Sequence, residues 1–595
     1  MTIDTELLRR HVSAAAYDNI SLWLHEPKYA QYVAELEQLI QEERWKELED
    51  SFFKVLEFGT AGRRGTVGLG SNRINRVTIG ESTQALCLYA AEFDEAAREK
   101  GIVIACDTRL SSPELSRIAA EVCAANGFKT YIFDSFRSTP ELSFAVRHLG
   151  AVAGIVISAS HNPPADNGFK AYWSDGGQLV SPHDKGVLAK AAEIHIIESV
   201  DFDEAVSAGD IVIIGDDVDE AYVSAAAHEA VGQARDLKII YSPLHGTGQT
   251  NVLPVLKRAG FTDISLVAEQ MVPDGSFPTI PSGKPNPQEI SANEMAVEKM
   301  IAEQGDIVIT NDPDADRVGV VVMHDGMPVY LNGNQATALA ADYVLRMLNE
   351  QRQLTSQHYL AKTIVTTDLL QALADSYKVT LYGNLLVGFK YIGELLAQKQ
   401  DSGEVFVLGG EESYGLLKGT YARDKDGASG ALTLAEAAAE LKRSGKTLYT
   451  RLLELFVEHG IYEEALVDVQ FPGADGFEAM QRLMSELKTV TPESLAGHTV
   501  SAVQDYTTLQ RKESGSGNVT DIDCIKGNVL VFELGDVRRR VTVRPSGTEP
   551  KIKLYVQWYE ATSASTSEEA NDAYDTLKAT LDEFMAQLKA QILTA

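Results

Sequence analysis

Apolar and polar positions follow two rhythms along this chain. Between residues 4 and 50, Val33, Leu36, Leu39 and Ile40 recur at helical spacing among Glu35, Glu37, Glu42 and Glu43, which predicts two or three surface helices. From about Phe58, short apolar runs interleave with helical stretches. Residues 101–106 (GIVIAC) read as a buried strand, 112–126 as a helix, and 130–133 and 152–158 as strands. The same grammar restarts at Leu237, where LKIIYSP enters the turn Leu244-His245-Gly246-Thr247-Gly248 and a helix. It returns between about Asn332 and Glu458, with strands near 363–366 and 404–408. Such alternation predicts α/β layers with largely parallel strands. Beyond Ile461, strand-like segments crowd together (529–534, 539–543, 552–558) before a last helix near 571–592. Residues 510–518 and 562–572 read as polar, Ser-rich loops. The fold expected is α/β: three similar mixed α/β domains and a smaller C-terminal α+β domain, divided as 1–215, 216–333, 334–460 and 461–595.

Composition narrows the function. The 595 residues are 44% apolar and 23% charged, as in globular proteins, so wholesale disorder is excluded. With 53 Lys and Arg against 85 Asp and Glu, the net charge is −32. Such a chain repels phosphate backbones and anionic lipid, so neither a nucleic-acid nor a membrane partner is expected. An anionic substrate must then be held by a few clustered cations. Four cysteines without a CxxC pair suit a reducing compartment. The first ten residues carry Asp4, Glu6, Arg9 and Arg10 instead of an apolar core, so no signal peptide is expected. No apolar run reaches the ~18–20 residues of a spanning helix, and a cytoplasmic protein is the expectation.

Four loops carry chemistry. The strand at 152–158 runs into Ala159-Ser160-His161-Asn162-Pro163-Pro164, then Asp166-Asn167-Gly168-Phe169-Lys170. At the carboxyl end of a strand, such a serine is a candidate nucleophile or phosphoryl carrier, although these residues also make ordinary turns. The strand at 306–310 is followed by Asn311-Asp312-Pro313-Asp314-Ala315-Asp316-Arg317. Three alternating carboxylates oppose joint ionisation unless a cation sits among them, and a hard divalent ion takes such ligands. A calcium loop is excluded, because its Gly and Glu positions hold Arg317 and Met323. The strand at 404–408 ends in Gly409-Gly410-Glu411-Glu412-Ser413-Tyr414-Gly415, with Arg423-Asp424-Lys425-Asp426-Gly427 following. This suits vicinal sugar hydroxyls, or a glycine-rich turn. Last, Arg544-Pro545-Ser546-Gly547-Thr548-Glu549-Pro550-Lys551 offers an arginine fork, two hydroxyls and an open backbone to a phosphate, or makes a hairpin turn. Residues 58–65 (FGTAGRRG) supply a similar glycine-flanked arginine. If the blocks converge on a central cleft, the inventory is that of a phosphoryl-transfer enzyme acting on a sugar phosphate.

SASHNP (158–163), DPDADR (312–317), GEES (410–413) and RPSGTEPK (544–551), in this order, resemble the α-D-phosphohexomutase superfamily, as do FGTAGRRG, NGFK (167–170) and GFK (388–390). The FGTAG form and the length are most similar to its long phosphoglucomutase/phosphomannomutase branch, which includes phosphopentomutases and glucose-1,6-bisphosphate synthases. The chain departs at Arg63, where Leu is common, and at Ala315, where many members have Gly. The resemblance implies that Ser160 carries a phosphoryl group and exchanges it with a hexose phosphate, α-D-glucose foremost, through a sugar 1,6-bisphosphate. It further implies Mg²⁺ on Ser160, Asp312, Asp314 and Asp316, and Arg64, Arg317, Lys170 and His161 near the reacting groups. Glu411 and Ser413 would hold the sugar, while Arg544, Ser546, Gly547 and Thr548 clamp the distal phosphate with help from Lys390, Arg423 and Lys425. A monomer or homodimer is expected.

Overall fold

The computed structural model describes residues 5–56, 62–471, 476–546 and 550–594. The chain separates into two compact units, one of residues 1–229, 239–318 and 420–432, the other of 230–238, 319–419 and 433–595.

In the first unit, six strands form one sheet: β1 (Arg63–Thr66), β2 (Ile102–Cys106), β3 (Thr130–Phe133), β4 (Ala153–Ile157), β5 (Asp166–Trp173) and β6 (Ile211–Ile214), in the order β1-β5-β4-β2-β3-β6. The pairs β4–β2, β2–β3 and β3–β6 are parallel, while β5 and β1 add antiparallel edges. Alternate residues of β2 enter opposite layers: Ile102, Ile104 and Cys106 one core cluster, Val103 and Ala105 the other. That is why this strand reads as an unbroken apolar run. Three further strands, β7 (Ile239–Ser242), β8 (Ile264–Leu266) and β9 (Ile307–Thr310), pair in parallel around β7.

The N-terminal stretch holds more helix than the two or three segments expected: Thr5–His11, Ala14–His25, Val33–Gln41 and Trp45–Phe52, with a 3₁₀ turn at Pro27–Tyr32. Their apolar faces close on Trp23, which is buried, stacks on Tyr29 (4.3 Å between centroids) and meets Phe52 edge-on (5.3 Å). Short helices with sparse apolar positions merge into one period when read from sequence.

After residues 230–238, the second unit contains a hairpin of β10 (Gly319–His324) and β11 (Met327–Leu331), then β12 (His358–Thr363), β13 (Thr380–Leu385), β14 (Val405–Gly410) and β15 (Leu416–Lys418), these last four in the order β13-β12-β14-β15. The strand expected at 363–366 stops at Thr363, because Thr366 N–H donates to Thr363 O (3.1 Å) and turns the chain. Ile364 and Val365 join a buried apolar cluster there, so their β-branched character serves packing instead.

The C-terminal part contains β16 (Ile461–Gln470), a ribbon of β17 (Ser494–Leu495) and β18 (His498–Thr499), then β19 (Ala502–Asp505), β20 (Gln510–Glu513), β21 (Val519–Asp521), β22 (Leu530–Leu534), β23 (Asp536–Pro545) and β24 (Lys551–Glu560). Seven of these form an antiparallel sheet in the order β16-β24-β23-β22-β19-β20-β21. The segment 510–518 is therefore not all loop. Its charged first half is strand β20, near the sheet edge, where polar side chains are common. Likewise the helix Ser567–Thr594 starts inside the loop expected at 562–572, with Glu568 and Glu569 favourably placed in its first turn and Thr566 Oγ1 accepting from Glu569 N–H (3.2 Å).

Candidate active site

In the first unit the serine loop and the acidic loop meet. Ser160 follows β4, and its φ of +52° lies in the left-handed region, at a cost of ~1–2 kcal/mol for an L-residue. Its N–H donates to Ser158 Oγ (2.8 Å). Its own Oγ donates to Asp312 Oδ2 (2.6 Å) and lies 3.1 Å from His161 Nδ1.

The acidic loop follows β9. Asn311 pins it by donating to Arg317 O (2.6 Å) and accepting from the Tyr241 hydroxyl (3.0 Å). Thr247 N–H donates to Pro313 O (2.8 Å), and a Cβ on Gly246 would fall 2.4 Å from Pro313 Cα, so this approach requires glycine. Ala315 has φ +51°, a backbone glycine adopts freely, which explains why glycine also suits this position.

Asp312, Asp314 and Asp316 are all buried, with carboxylate oxygens within 4.8 Å of one another. Lys170 from β5 lies 2.5 Å from Asp314 Oδ2 and 3.4 Å from Asp316 Oδ2, and Lys425 lies 3.1 Å from Asp316 Oδ2. Arg317 Nε stands 3.7 Å from Asp312 and 3.9 Å from Asp316. Arg64 donates to Asn162 Oδ1 at 3.4 Å. Alternation in β1 sends Arg63 elsewhere: it is buried and donates to Thr78 O (3.1 Å) and Glu81 Oε2 (3.4 Å).

These contacts set the protonation states. Burial, reinforced by Asp316 and Asp314, holds the Asp312 carboxyl well above its usual range. Burial acts the same way on Asp314, but Lys170 and Thr139 outweigh it and keep Asp314 below the usual range. Burial, then the charges of Arg317 and Arg64, push His161 well below its usual value, leaving a neutral imidazole. Burial would lower Lys170, yet Asp314 and Asp316 raise it, so it stays an ammonium. Asp314 Oδ1 and Asp316 Oδ1 are buried without a hydrogen-bond partner. Orphaned carboxylate oxygens converging with those of Asp312 fit a hard divalent cation such as Mg²⁺.

The second unit brings the other two loops together. Glu411, after β14, is buried, and its N–H donates to Gly415 O (2.9 Å). Burial and the Glu411 charge raise Glu412 to about 7, while Lys553 and Arg544 pull it down, so the acid pair faces the cations of β23 and β24. Arg544 sits opposite Lys553 in register, and Ser546 N–H donates to Lys551 O (2.8 Å). Ser413 is half-buried in the turn, and the buried Lys390 begins the helix Lys390–Lys399. Gly547 and Thr548 lie outside the described residues, as do the first residues of FGTAGRRG.

Arg423 and Lys425, expected at the phosphate-clamp end beside Lys390, lie in the first unit. The segment 420–432 packs there: Arg423 N–H donates to Ser143 Oγ (2.8 Å), and Asp424 accepts from the Tyr172 hydroxyl (2.7 Å). Asp426 anchors the same segment, accepting from Tyr421 and Tyr222 and from Ala428 N–H (2.7 Å). Burial lifts its carboxyl from 3.8 to about 6. The folded state therefore binds the proton more tightly than the unfolded chain, and stability falls as pH rises from about 3.8 to about 6. The term is on the order of 2–3 kcal/mol. In urea titrations, Asp426→Asn should lower this slope by about one proton, and an unchanged slope would remove Asp426 as a source.

Sequence reading missed three residues of these sites. Thr139 holds Asp314 twice, its Oγ1 donating to Oδ2 (2.7 Å) and its N–H to Asp314 O (3.0 Å). Lys553, opposite Arg544, is the second cation acting on Glu412. Arg109, in the loop after β2, grips the serine loop from beneath. The only signal for Arg109 was its place after a buried strand, the rule that singled out Ser160.

Comparison with known proteins agrees. Models of the phosphoglucomutase/phosphomannomutase α/β/α domains I, II and III match residues 55–196, 220–326 and 332–456. A phosphoglucomutase of Staphylococcus haemolyticus is 34% identical over 519 residues, covering 85% of this chain and 91% of the relative. One from Staphylococcus epidermidis is 33% identical over 516 residues, covering 86% and 92%. Among solved structures, the open form of parafusin, a phosphoglucomutase from Paramecium, shares the fold at TM-score 0.64 and 16% identity, covering 90% of this chain and 95% of that one. A phosphoglucomutase/phosphomannomutase family protein from Burkholderia thailandensis does so at 0.60 and 20%, covering 88% and 97%. The chain belongs to the phosphoglucomutase/phosphomannomutase family, of the α-D-phosphohexomutase superfamily. It is a mutase, an isomerase-class intramolecular phosphotransferase. Among the described residues, no helix is long and apolar enough to cross a membrane.

Proposed function

We propose that this mutase interconverts hexose 1-phosphate and hexose 6-phosphate, with α-D-glucose the preferred sugar, through phosphorylated Ser160 and glucose 1,6-bisphosphate. The observation that carries the reading is the Ser160 hydroxyl, 2.6 Å from Asp312 in a buried cluster of three carboxylates and several cations. The glucose preference is supported by the names of the staphylococcal relatives.

Phosphate monoesters are inert, so positioning and charge neutralisation must do the catalysis. Asp312, Asp314 and Asp316, with an oxygen of phosphorylated Ser160, would hold Mg²⁺, which when bound supplies positive charge to the transferring phosphoryl oxygens. Lys170, already an ammonium between Asp314 and Asp316, donates to the same oxygens. Arg64 and Arg317 add guanidinium charge, and Lys425 offsets Asp316. Neutral His161, at 3.1 Å, is placed to exchange a proton with the serine oxygen. Arg423 fixes the segment that carries Lys425. Glu411 and Ser413 hold the sugar hydroxyls. Arg544, Ser546, Gly547 and Thr548, with Lys390 and Lys553, hold the phosphate that is not reacting. The enzyme acts on small sugar phosphates in the cytoplasm, as a monomer or homodimer, without nucleic acid or membrane.

The test is a panel of glucose, mannose, ribose and deoxyribose 1-phosphates, assayed with Mg²⁺ and catalytic glucose 1,6-bisphosphate. Glucose 1-phosphate should give the highest kcat/KM. A mannose or pentose phosphate ahead by tenfold would make the chain a phosphomannomutase or phosphopentomutase, and net accumulation of bisphosphate when an acyl-phosphate donor is added would make it a glucose-1,6-bisphosphate synthase. Arg544→Ala should raise KM for the sugar phosphate by roughly 10–100-fold, the value of a charge-assisted phosphate contact. Unchanged kcat and KM would remove Arg544 from the clamp.

A further inference from the structure

Arg109 is 1% exposed, and its guanidinium donates four hydrogen bonds to backbone carbonyls between Ser160 and Asp166. Nη2 donates to Ser160 O (2.7 Å) and Asn162 O (2.5 Å), and Nη1 to Pro163 O (2.7 Å) and Asp166 O (2.8 Å). Nε pairs with Asp107 Oδ2 at 3.2 Å. Asp107 is fixed in turn: its Oδ1 accepts from Arg109 N–H (3.0 Å) and Ser112 Oγ (2.6 Å). One face of the guanidinium lies over the Phe277 ring (5.2 Å).

Two features separate this from ordinary core packing. Three of the four carbonyls belong to one loop and the fourth to Asp166, the first residue of β5, and the first of them is that of Ser160, held at φ +52°. A left-handed serine persists only where its surroundings over-determine it, and a fork with fixed donor directions does so. Moreover, Asp107 balances the Arg109 charge, so the guanidinium acts by geometry more than by field.

We propose that Arg109, braced by Asp107, is the positioning residue that holds Ser160 in its left-handed conformation with Oγ turned to Asp312, so that phosphoryl transfer proceeds from a fixed oxygen. The proposal rests on Ser160 being the phosphoryl carrier. A point-charge ammonium cannot reproduce the fork, so Arg109→Lys is the diagnostic variant. Displacing a reacting atom by about 1 Å costs roughly 10²-fold in rate.

The experiment labels wild type, Arg109→Lys and Asp107→Asn with ³²P-glucose 1,6-bisphosphate, maps the label, and follows its single-turnover transfer to sugar phosphate alongside kcat, KM and melting temperature. Expected are label on Ser160 throughout and single-turnover rate and kcat reduced together, ~10²-fold for Arg109→Lys and ~10-fold for Asp107→Asn. KM should change less than ~3-fold. Rates are expressed per labelled site, which removes any loss of folded protein. If Arg109→Lys does not fold, Asp107→Asn alone decides. Per-site rates within twofold of wild type would overturn the proposal. Label away from Ser160 in an active wild type would overturn the carrier reading itself, a result distinct from failure of the variants.

Discussion

Ser160→Ala is expected to lose at least ~10⁴-fold in mutase turnover, because it removes the hydroxyl that donates to Asp312 in the acidic cluster and is the proposed carrier of the phosphoryl group. Alanine keeps the loop: its methyl fits a site where the hydroxyl made one donated bond, to Asp312, and the backbone contacts are unaffected. Folding should change little. The competing chemistry is an aspartyl phosphate on Asp312, whose carboxylate also follows a buried strand. The two intermediates differ in bond type: a phosphoserine ester survives acid and hydroxylamine, whereas hydroxylamine cleaves an acyl phosphate. Acid-stable label in wild type and none in Ser160→Ala supports the serine. Hydroxylamine-labile label, or residual turnover above ~1% of wild type, would move the chemistry to Asp312.

The parts of the fold legible in sequence were those whose cause is local. Thr130–Phe133 and Ile307–Thr310 are strands because short apolar runs are buried on both faces, and the serine and acidic loops follow such strands. Grouping by tertiary contact was not legible. Arg109 reaches back from 51 residues away to the carbonyl of Ser160, and no period in the sequence encodes side chain-to-backbone capture at that range. The segment 420–432 follows β15 and includes the first turns of the helix Gly427–Lys442, yet it packs in the first unit through Ser143, Tyr172 and Tyr222. Its placement depends on buried hydrogen bonds to three residues that look unremarkable in isolation. Strand β20 was hidden because its polar residues lie near a sheet edge, where the hydrophobic pattern carries no information.

Asp312→Asn is expected to have the second-largest effect, and to report on how the acidic loop is charged. In the protein without a bound cation, burial and the flanking acids raise the Asp312 carboxyl above its usual range, so it takes up a proton at higher pH than an ordinary carboxylate. Binding a divalent cation there requires the carboxylate, so binding must release a proton, and apparent affinity must weaken as pH falls. Calorimetric titration with Mn²⁺ in two buffers of different ionisation enthalpy counts that proton directly. Wild type should release more proton on binding than Asp312→Asn, and the variant should bind at least ~10²-fold more weakly and turn over ~10³-fold more slowly. Chelator should silence wild type, and Mg²⁺ should restore it. The neutral amide keeps the shape of the loop and can still accept from Arg317 N–H, which Asp312 Oδ1 does at 3.0 Å, so a fold defect would not mimic these results. Equal proton release and affinity in the two proteins would place the cation elsewhere and leave Asp314 and Asp316, with Lys170 between them, as a purely ionic cluster.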